Sequence, residues 1–235
     1  MNILAVDTST TNLSLALKTD TSFEERFITS PSFSPSENLL GEIKELLKRE
    51  NLTLKDLDLL ICTKGPGSFT GLRITMSLLK GIALAGDIPL VSVPTLDVVE
   101  DSVSSVWQGP VASVIDAKKK KYYFRFSVLG NVIIKDKDEE TEKIVEELDG
   151  RNCMILLTGP DARSFYEKAL KISPSSGLIL DEYAPRALGR SLIKLGQLKY
   201  EKYGPDDIGE GPVYIRRSDA EEMLLKKTKE SENEN

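Results

Sequence analysis

Histidine is absent from all 235 residues. That excludes every mechanism built on imidazole, including Ser-His-Asp and Cys-His nucleophile activation, histidine zinc sites and imidazole acid-base catalysis. Cysteine is scarce as well. Cys62 and Cys153 each sit in an apolar run, LDLLICTK and CMILLTG, which suits reduced core residues better than a disulfide or a metal site. No run of about 18 apolar residues occurs, so no membrane-spanning helix is expected. The opening MNILAVDTST has no basic stretch and reaches an acid at Asp7 before the apolar core of a secretion signal forms, so a cytoplasmic location is expected. Positive charge is in deficit, with 31 lysines and arginines against 37 acids and a formal net charge of −6. Such a surface as a whole repels a phosphate backbone. If RNA is involved, a partner is expected to supply much of the positive surface.

What is present is an ordinary soluble composition, 40% hydrophobic and 29% charged, in a chain long enough for one large domain or two small ones. NILAVD, NLSLALK and SFEERFI read as three strands, and Leu13, Leu15 and Leu17 alternate in the second. After the polar loop TSPSFSPS, the stretch SENLLGEIKELLKRE gathers Leu39, Leu40, Ile43, Leu46 and Leu47 on one side of a helix. LDLLICTK reads as a buried parallel strand. A glycine turn, a helix, the strand PLVSV and a helix near 95 to 105 follow.

The pattern then begins again. PVASVIDA, KYYFRFSVL and NVIIKD give three strands, followed by a helix from about Glu139 to Leu148, the strand CMILLTG, a helix from Asp161 to Lys171 and the strand GLIL. Each half opens on a strand ending in an aspartate, Asp7 and Asp116, and the two turns are expected to face one cleft. The expected organisation is α/β with two mixed-sheet subdomains, 1–107 and 108–220, and a charged tail, 221–235, that loses apolar periodicity and is expected to be disordered.

Three stretches are candidates for chemistry. GPGSFTG places Gly65, Gly67 and Gly71 ahead of a helix, one residue off the dinucleotide fingerprint and without the Gly-Lys-Ser/Thr of a P-loop. Ser68 or Thr70 can cap that helix beside an anion, or the glycines can simply allow a sharp strand-to-helix bend. VDTSTTN sets Asp7 before Ser9 and Thr10, where a carboxylate can hold magnesium through water while hydroxyls meet phosphate; the plainer reading is a self-capped hairpin turn. AKKKKYY can touch RNA phosphate and stack on a base, although a lysine run at a turn is more often a solvated hairpin tip. The helix after the glycine turn adds a different signal. Leu72, Met76, Leu79 and Ala83 fall on one side, and Ile74, Leu78, Ile82 and Ala85 on roughly the other. A helix on its own sheet needs one apolar stripe. The second is covered within the domain or by another chain.

ILAVDTST, GPGSFTGLRITMSLLKGIALAGDIPLVSVPTLD and GPVYIRR together resemble the TsaB family, also called YeaZ. The resemblance runs through the first hundred or so residues and returns at Gly211 to Arg217. It implies a duplicated actin-like, sugar-kinase-like (ribonuclease H-like) fold. It also implies a noncatalytic relative of TsaD, the enzyme that transfers a threonylcarbamoyl group to the adenosine next to the anticodon of certain tRNAs. TsaB binds TsaD, and the ATPase TsaE joins them, so ATP and magnesium belong to the complex, tRNA reaches it there, and a homodimer is open to the lone chain. TsaD carries H-x-x-x-H where this chain reads PTLDVVE, which puts the ligand positions near Thr95 and Val99, neither able to hold iron or zinc. Pro35, before Ser36 and Glu37, stands where many relatives have histidine.

The resemblance further implies that the first two long helices form the partner surface, with contact expected through Leu39, Ile43 and Leu47 of one and Leu72, Met76, Leu79 and Ala83 of the other. Asp7, Ser9, Thr10, Gly65, Gly67, Ser68 and Asp116 are the candidate nucleotide or phosphate residues. A stand-alone ATPase or phosphotransferase of the same fold is the alternative, with TGPDARS at 158 to 164 its weak adenosine candidate. A peptidase has neither histidine nor an activated serine or cysteine to work with.

Overall fold

The computed structural model describes residues 1–29, 35–174, 177–184 and 186–216. Arg217 and the expected tail lie outside the described residues.

The first three strands, β1 (Ile3–Asp7), β2 (Leu13–Lys18) and β3 (Phe23–Ile28), form an antiparallel meander. The chain then enters α1 (Pro35–Arg49), and β4 (Leu59–Thr63) pairs parallel with β1 on its other side. After α2 (Phe69–Gly86), β5 (Leu90–Val93) extends the sheet beside β4, and α3 (Thr95–Asp101) closes the half. The sheet order is β3-β2-β1-β4-β5.

The second half repeats this. It contains β6 (Pro110–Lys118), β7 (Lys121–Val128), β8 (Asn131–Glu140), α4 (Thr141–Asp149), β9 (Ile155–Thr158), α5 (Ala162–Ile172) and β10 (Leu178–Leu180), with sheet order β10-β9-β6-β7-β8. Three antiparallel strands followed by two parallel ones, twice over, is the duplicated mixed-sheet arrangement expected from the repeated pattern, and it agrees with the actin-like fold that the resemblance implies.

Strand alternation decides which layer each side chain joins. Leu4, Val6, Leu60 and Cys62 point to the face covered by α1 and α2, whereas Ile3, Ala5, Leu59 and Ile61 point to the opposite face. Burial pushes the Cys62 thiol up to about 12, so it is an inert core group. On the opposite face lie Leu96, Val98 and Val99 of α3 together with Leu192 and Ile193 of a sixth helix, α6 (Gly189–Tyr203). That helix was not expected from the sequence. Although it follows the second sheet in the chain, it packs on β1, β2, β4 and β5 of the first. Behind the second sheet, Phe124, Phe126 and Phe165 anchor a separate core with α4 and α5.

The halves are bolted together through α3. Arg125 of β7 reaches Asp97 on that helix and donates to Asp136 at 2.5 Å, Ser127 donates to Glu100 at 2.5 Å, and Lys194 of α6 pairs with Asp101 at 2.6 Å. The segment after α6 returns along the first half. Asp206 accepts from the Ser92 amide at 2.8 Å and Val213 donates its amide to Lys64 at 2.7 Å, before Arg216 crosses to the second half and donates to the Ala117 carbonyl at 3.0 Å. Among the described residues no helix is long and apolar enough to cross a membrane.

Candidate functional site

The glycine turn is occupied chiefly by the chain itself. Its N-terminal cap is Ser68, whose hydroxyl accepts from the Gly71 amide at 3.2 Å, as expected for a helix start. The Ser68 amide donates to the Ser9 carbonyl at 2.5 Å, and the Gly65 carbonyl accepts from Thr95 at 2.8 Å. A Cβ on Gly67 would lie 2.2 Å from the Ser9 carbonyl oxygen, and one on Gly71 would lie 2.0 Å from that of Thr8. Glycine at these two positions therefore lets α2 begin directly against the β1–β2 turn. Thr8 completes the joint, donating to the Gly71 carbonyl at 2.8 Å and sharing a 2.6 Å hydrogen bond with Thr75.

Asp7 lies beneath this joint. Its Oδ1 accepts from the Ser9 amide at 2.9 Å and the Thr63 hydroxyl at 2.6 Å. Burial raises its pKa above the ordinary carboxylate value, and those hydrogen bonds oppose the rise. It lines a cavity of about 20 Å³ with Asn12, Thr158 and Arg186, room for roughly one water.

A larger cleft of about 420 Å³ opens between the halves. Ser9, Thr10, Gly67, Ser68 and Asp116 line it, five of the seven residues singled out for phosphate. Asp7 and Gly65 are not on its wall. The two aspartates thus face different spaces, because the β1–β2 turn stands between Asp7 and the cleft. Asp116 is also engaged, accepting from the Lys118 amide at 2.7 Å and the Lys118 ammonium at 2.8 Å. Burial acts to raise its pKa, but these bonds and the lysine's charge bring it below the ordinary value. Asp161 accepts from the Asp116 amide at 2.8 Å, and its burial raises its pKa.

The cleft mouth brings together a lysine hairpin and an aromatic stack from segments far apart in the chain. Lys118, Lys119 and Lys120 all have positive φ, 62°, 53° and 64°. Side chains there cost roughly 1–2 kcal/mol per residue relative to the right-handed region. Across the mouth, Phe69 stacks on Tyr214 with ring centroids 4.1 Å apart, and Arg73 lies 4.0 Å over the Phe69 ring while donating to the Tyr214 hydroxyl at 2.8 Å.

The seven residues expected at the partner surface are in the core. Leu39, Ile43, Leu47, Leu72, Met76, Leu79 and Ala83 are each at most 5% exposed, and all but Leu72 pack in one cluster with Leu4, Val6 and Leu60. The cause is the ordinary one: the stripe that is most continuous along both helices is the one their own sheet requires. The other side of the pair is open instead. A groove of about 450 Å³ runs between α1 and α2, lined by Leu40, Leu54, Leu78 and Ala85 with Lys44 and Lys55 at its edges. Leu40 is 37% exposed and Leu84, on the next turn of α2, 71%. Of the second stripe counted along α2, Leu78, Ile82 and Ala85 reach this groove, although Ile82 is itself buried in the core and Ile74 is not on the groove wall.

Residues 33–172, more than half of the chain, match the family model described as TsaD: tRNA N6-adenosine threonylcarbamoyltransferase. The tRNA threonylcarbamoyladenosine biosynthesis protein TsaB of Bacillus subtilis (strain 168) is 26% identical, covering 97% of this chain and 100% of the relative. The protein of the same description from Escherichia coli (strain K12) is 31% identical over 53% of this chain and 54% of its own. The solved structure of YeaZ from Pseudomonas aeruginosa superposes with a TM-score of 0.74 at 23% identity, covering 91% of this chain and 99% of that one. The chain therefore belongs to the TsaD family, and within it to the TsaB (YeaZ) group.

Proposed function

We propose that the protein is a noncatalytic subunit in threonylcarbamoyladenosine formation on tRNA, binding and organising the TsaD transferase together with TsaE. The observation that carries this reading is the open α1–α2 groove, whose apolar floor and lysine edges suit a second protein chain better than a small polar substrate. An apolar surface flanked by Lys44 and Lys55 matches a partner helix with apolar residues on its face and carboxylates beside them. The same apolar floor is open to a second copy of the chain when the partner is missing.

The absence of catalysis is supported by the chemistry of the glycine and aspartate turns rather than by anything missing from the cleft. The Ser68 amide and the near faces of Gly67 and Gly71 are taken by the β1–β2 turn, and Asp7 is closed off from the cleft. Thr95 and Val99 stand where the resemblance places metal ligands, and neither side chain fits an iron or zinc ion.

The test is co-purification of TsaD with the Leu40→Asp/Ala85→Asp double variant. Both side chains are exposed on the groove, so the thermal midpoint should move little while TsaD capture and tRNA modification are lost. Retained capture by a folded double variant rejects the groove as the contact. Nucleotide turnover by the isolated chain at rates typical of an ATPase would favour the enzyme reading instead.

A further inference from the structure

The tip of the β6–β7 hairpin is built against its own backbone preference. Lys118 and Lys121 are opposite one another in the ladder, so Lys119 and Lys120 form a two-residue turn. Both have positive φ, and so does Lys118. Asparagine or glycine fills such positions with far less strain. Three consecutive lysines held there trade local fit for charge, and backbone strain of this kind concentrates where a site is built.

The tip stands at the cleft. Lys118 and Lys119 line it, and Arg216 lines it from the returning C-terminal segment. Phe69 also lines the cleft, with the exposed Arg73 over its ring and Tyr214 stacked on it. Lys118, Lys119 and Arg216 thus line one opening, with Lys120 next to them in the chain and Arg73 over the lining residue Phe69, against Asp116 and Asp161 in its wall, in a chain whose formal net charge is −6. Asp116 is already engaged by Lys118. Flexible ammonium groups beside a ring-and-guanidinium stack are the combination that grips a phosphate backbone and lays a base on an aromatic face.

We propose that this rim is an RNA contact, in which Lys119 and Lys120 hold backbone phosphates and the Phe69–Arg73–Tyr214 stack receives a base or ribose. It rests on the tRNA reading above and adds a direct contact from this chain, in place of RNA held by the partner alone. RNA is favoured over a small anion because Lys120 and Arg73 are exposed and not on the cleft wall, so the cations are not confined to one pocket.

The experiment is fluorescence anisotropy of a labelled tRNA anticodon stem-loop titrated with the full chain, comparing wild type with Lys119→Gly/Lys120→Gly. Glycine removes both charges and relieves both positive-φ residues. The variant should melt about 4 °C higher, bind the RNA about tenfold more weakly, and show a salt slope reduced by about 2. Unchanged RNA affinity, or no saturable binding by wild type, overturns the proposal. So does displacement of the RNA by tripolyphosphate at equal phosphate concentration, which would mark a small-anion site. A lower melting temperature overturns the strain argument. Co-purification with TsaD is read in parallel: its loss in wild type defeats the proposed function, whereas intact capture with unchanged RNA affinity in the variant defeats only the RNA contact.

Discussion

Asp7 is a carboxylate in a place that disfavours its charge. Burial raises its pKa above the ordinary 3.8, and the hydrogen bonds from Ser9 and Thr63 recover part of the cost. The sign of the stability effect follows from proton linkage. As pH rises from about 4, the unfolded chain loses its Asp7 proton first while the folded chain still holds it, so this residue's contribution falls until the folded pKa is passed. Asp7→Asn keeps an oxygen acceptor and removes the charge. We expect the variant's melting temperature, minus that of wild type, to climb between pH 4 and neutrality in a pH series by calorimetry; a flat difference rejects the assignment. The sequence showed Asp7 at a strand end, and it is there. Which space it would face was not legible, because that depends on the Ser68–Ser9 and Thr8–Gly71 contacts between segments some 60 residues apart.

At the scale of elements, α2 carries two apolar stripes, and counting residues along it reveals both. Periodicity cannot say which one a sheet covers, since the helix pattern is the same from either side. The core assignment makes Leu79→Ala a cavity mutation, expected to cost about 2–5 kcal/mol in urea denaturation. A cost below about 1 kcal/mol would place Leu79 outside the core. The reverse difficulty hid α6. Its buried face contains Gly189, Ser191 and Gly196 along with Leu192 and Ile193, so little of the apolar repeat survives. Those small residues are there because the helix lies close against the sheet: a Cβ on Gly196 would fall 2.5 Å from the Ile61 side chain. Tight packing erased the signal by which a helix is usually recognised. The strands were read more easily, since alternation at Leu13, Leu15 and Leu17 directly reflects one buried face.

For the whole molecule, chain order and packing order differ. The repeated strand and helix pattern suggested a first half complete by residue 107, yet the face of its sheet bearing Ile3, Ala5, Ile61 and Val91 is covered partly by α6. Leu188, Leu192 and Ile193 bury there at about 1.5–3 kcal/mol each, a sum comparable to the total stability of many domains. A fragment of residues 1–107 should therefore show no cooperative thermal transition by circular dichroism, and a peptide covering 186–216 should restore one when added. Cooperative melting of 1–107 alone would show that α6 is dispensable.

That late-arriving helix also sets a timetable for synthesis. While the ribosome makes the second half, the first sheet waits with one apolar face incompletely covered, and the segment that returns to Lys64 and Ser92 emerges only after α6. The nascent chain is therefore at its stickiest in mid-translation, and chaperone dependence should track the delay before residue 203 leaves the exit tunnel.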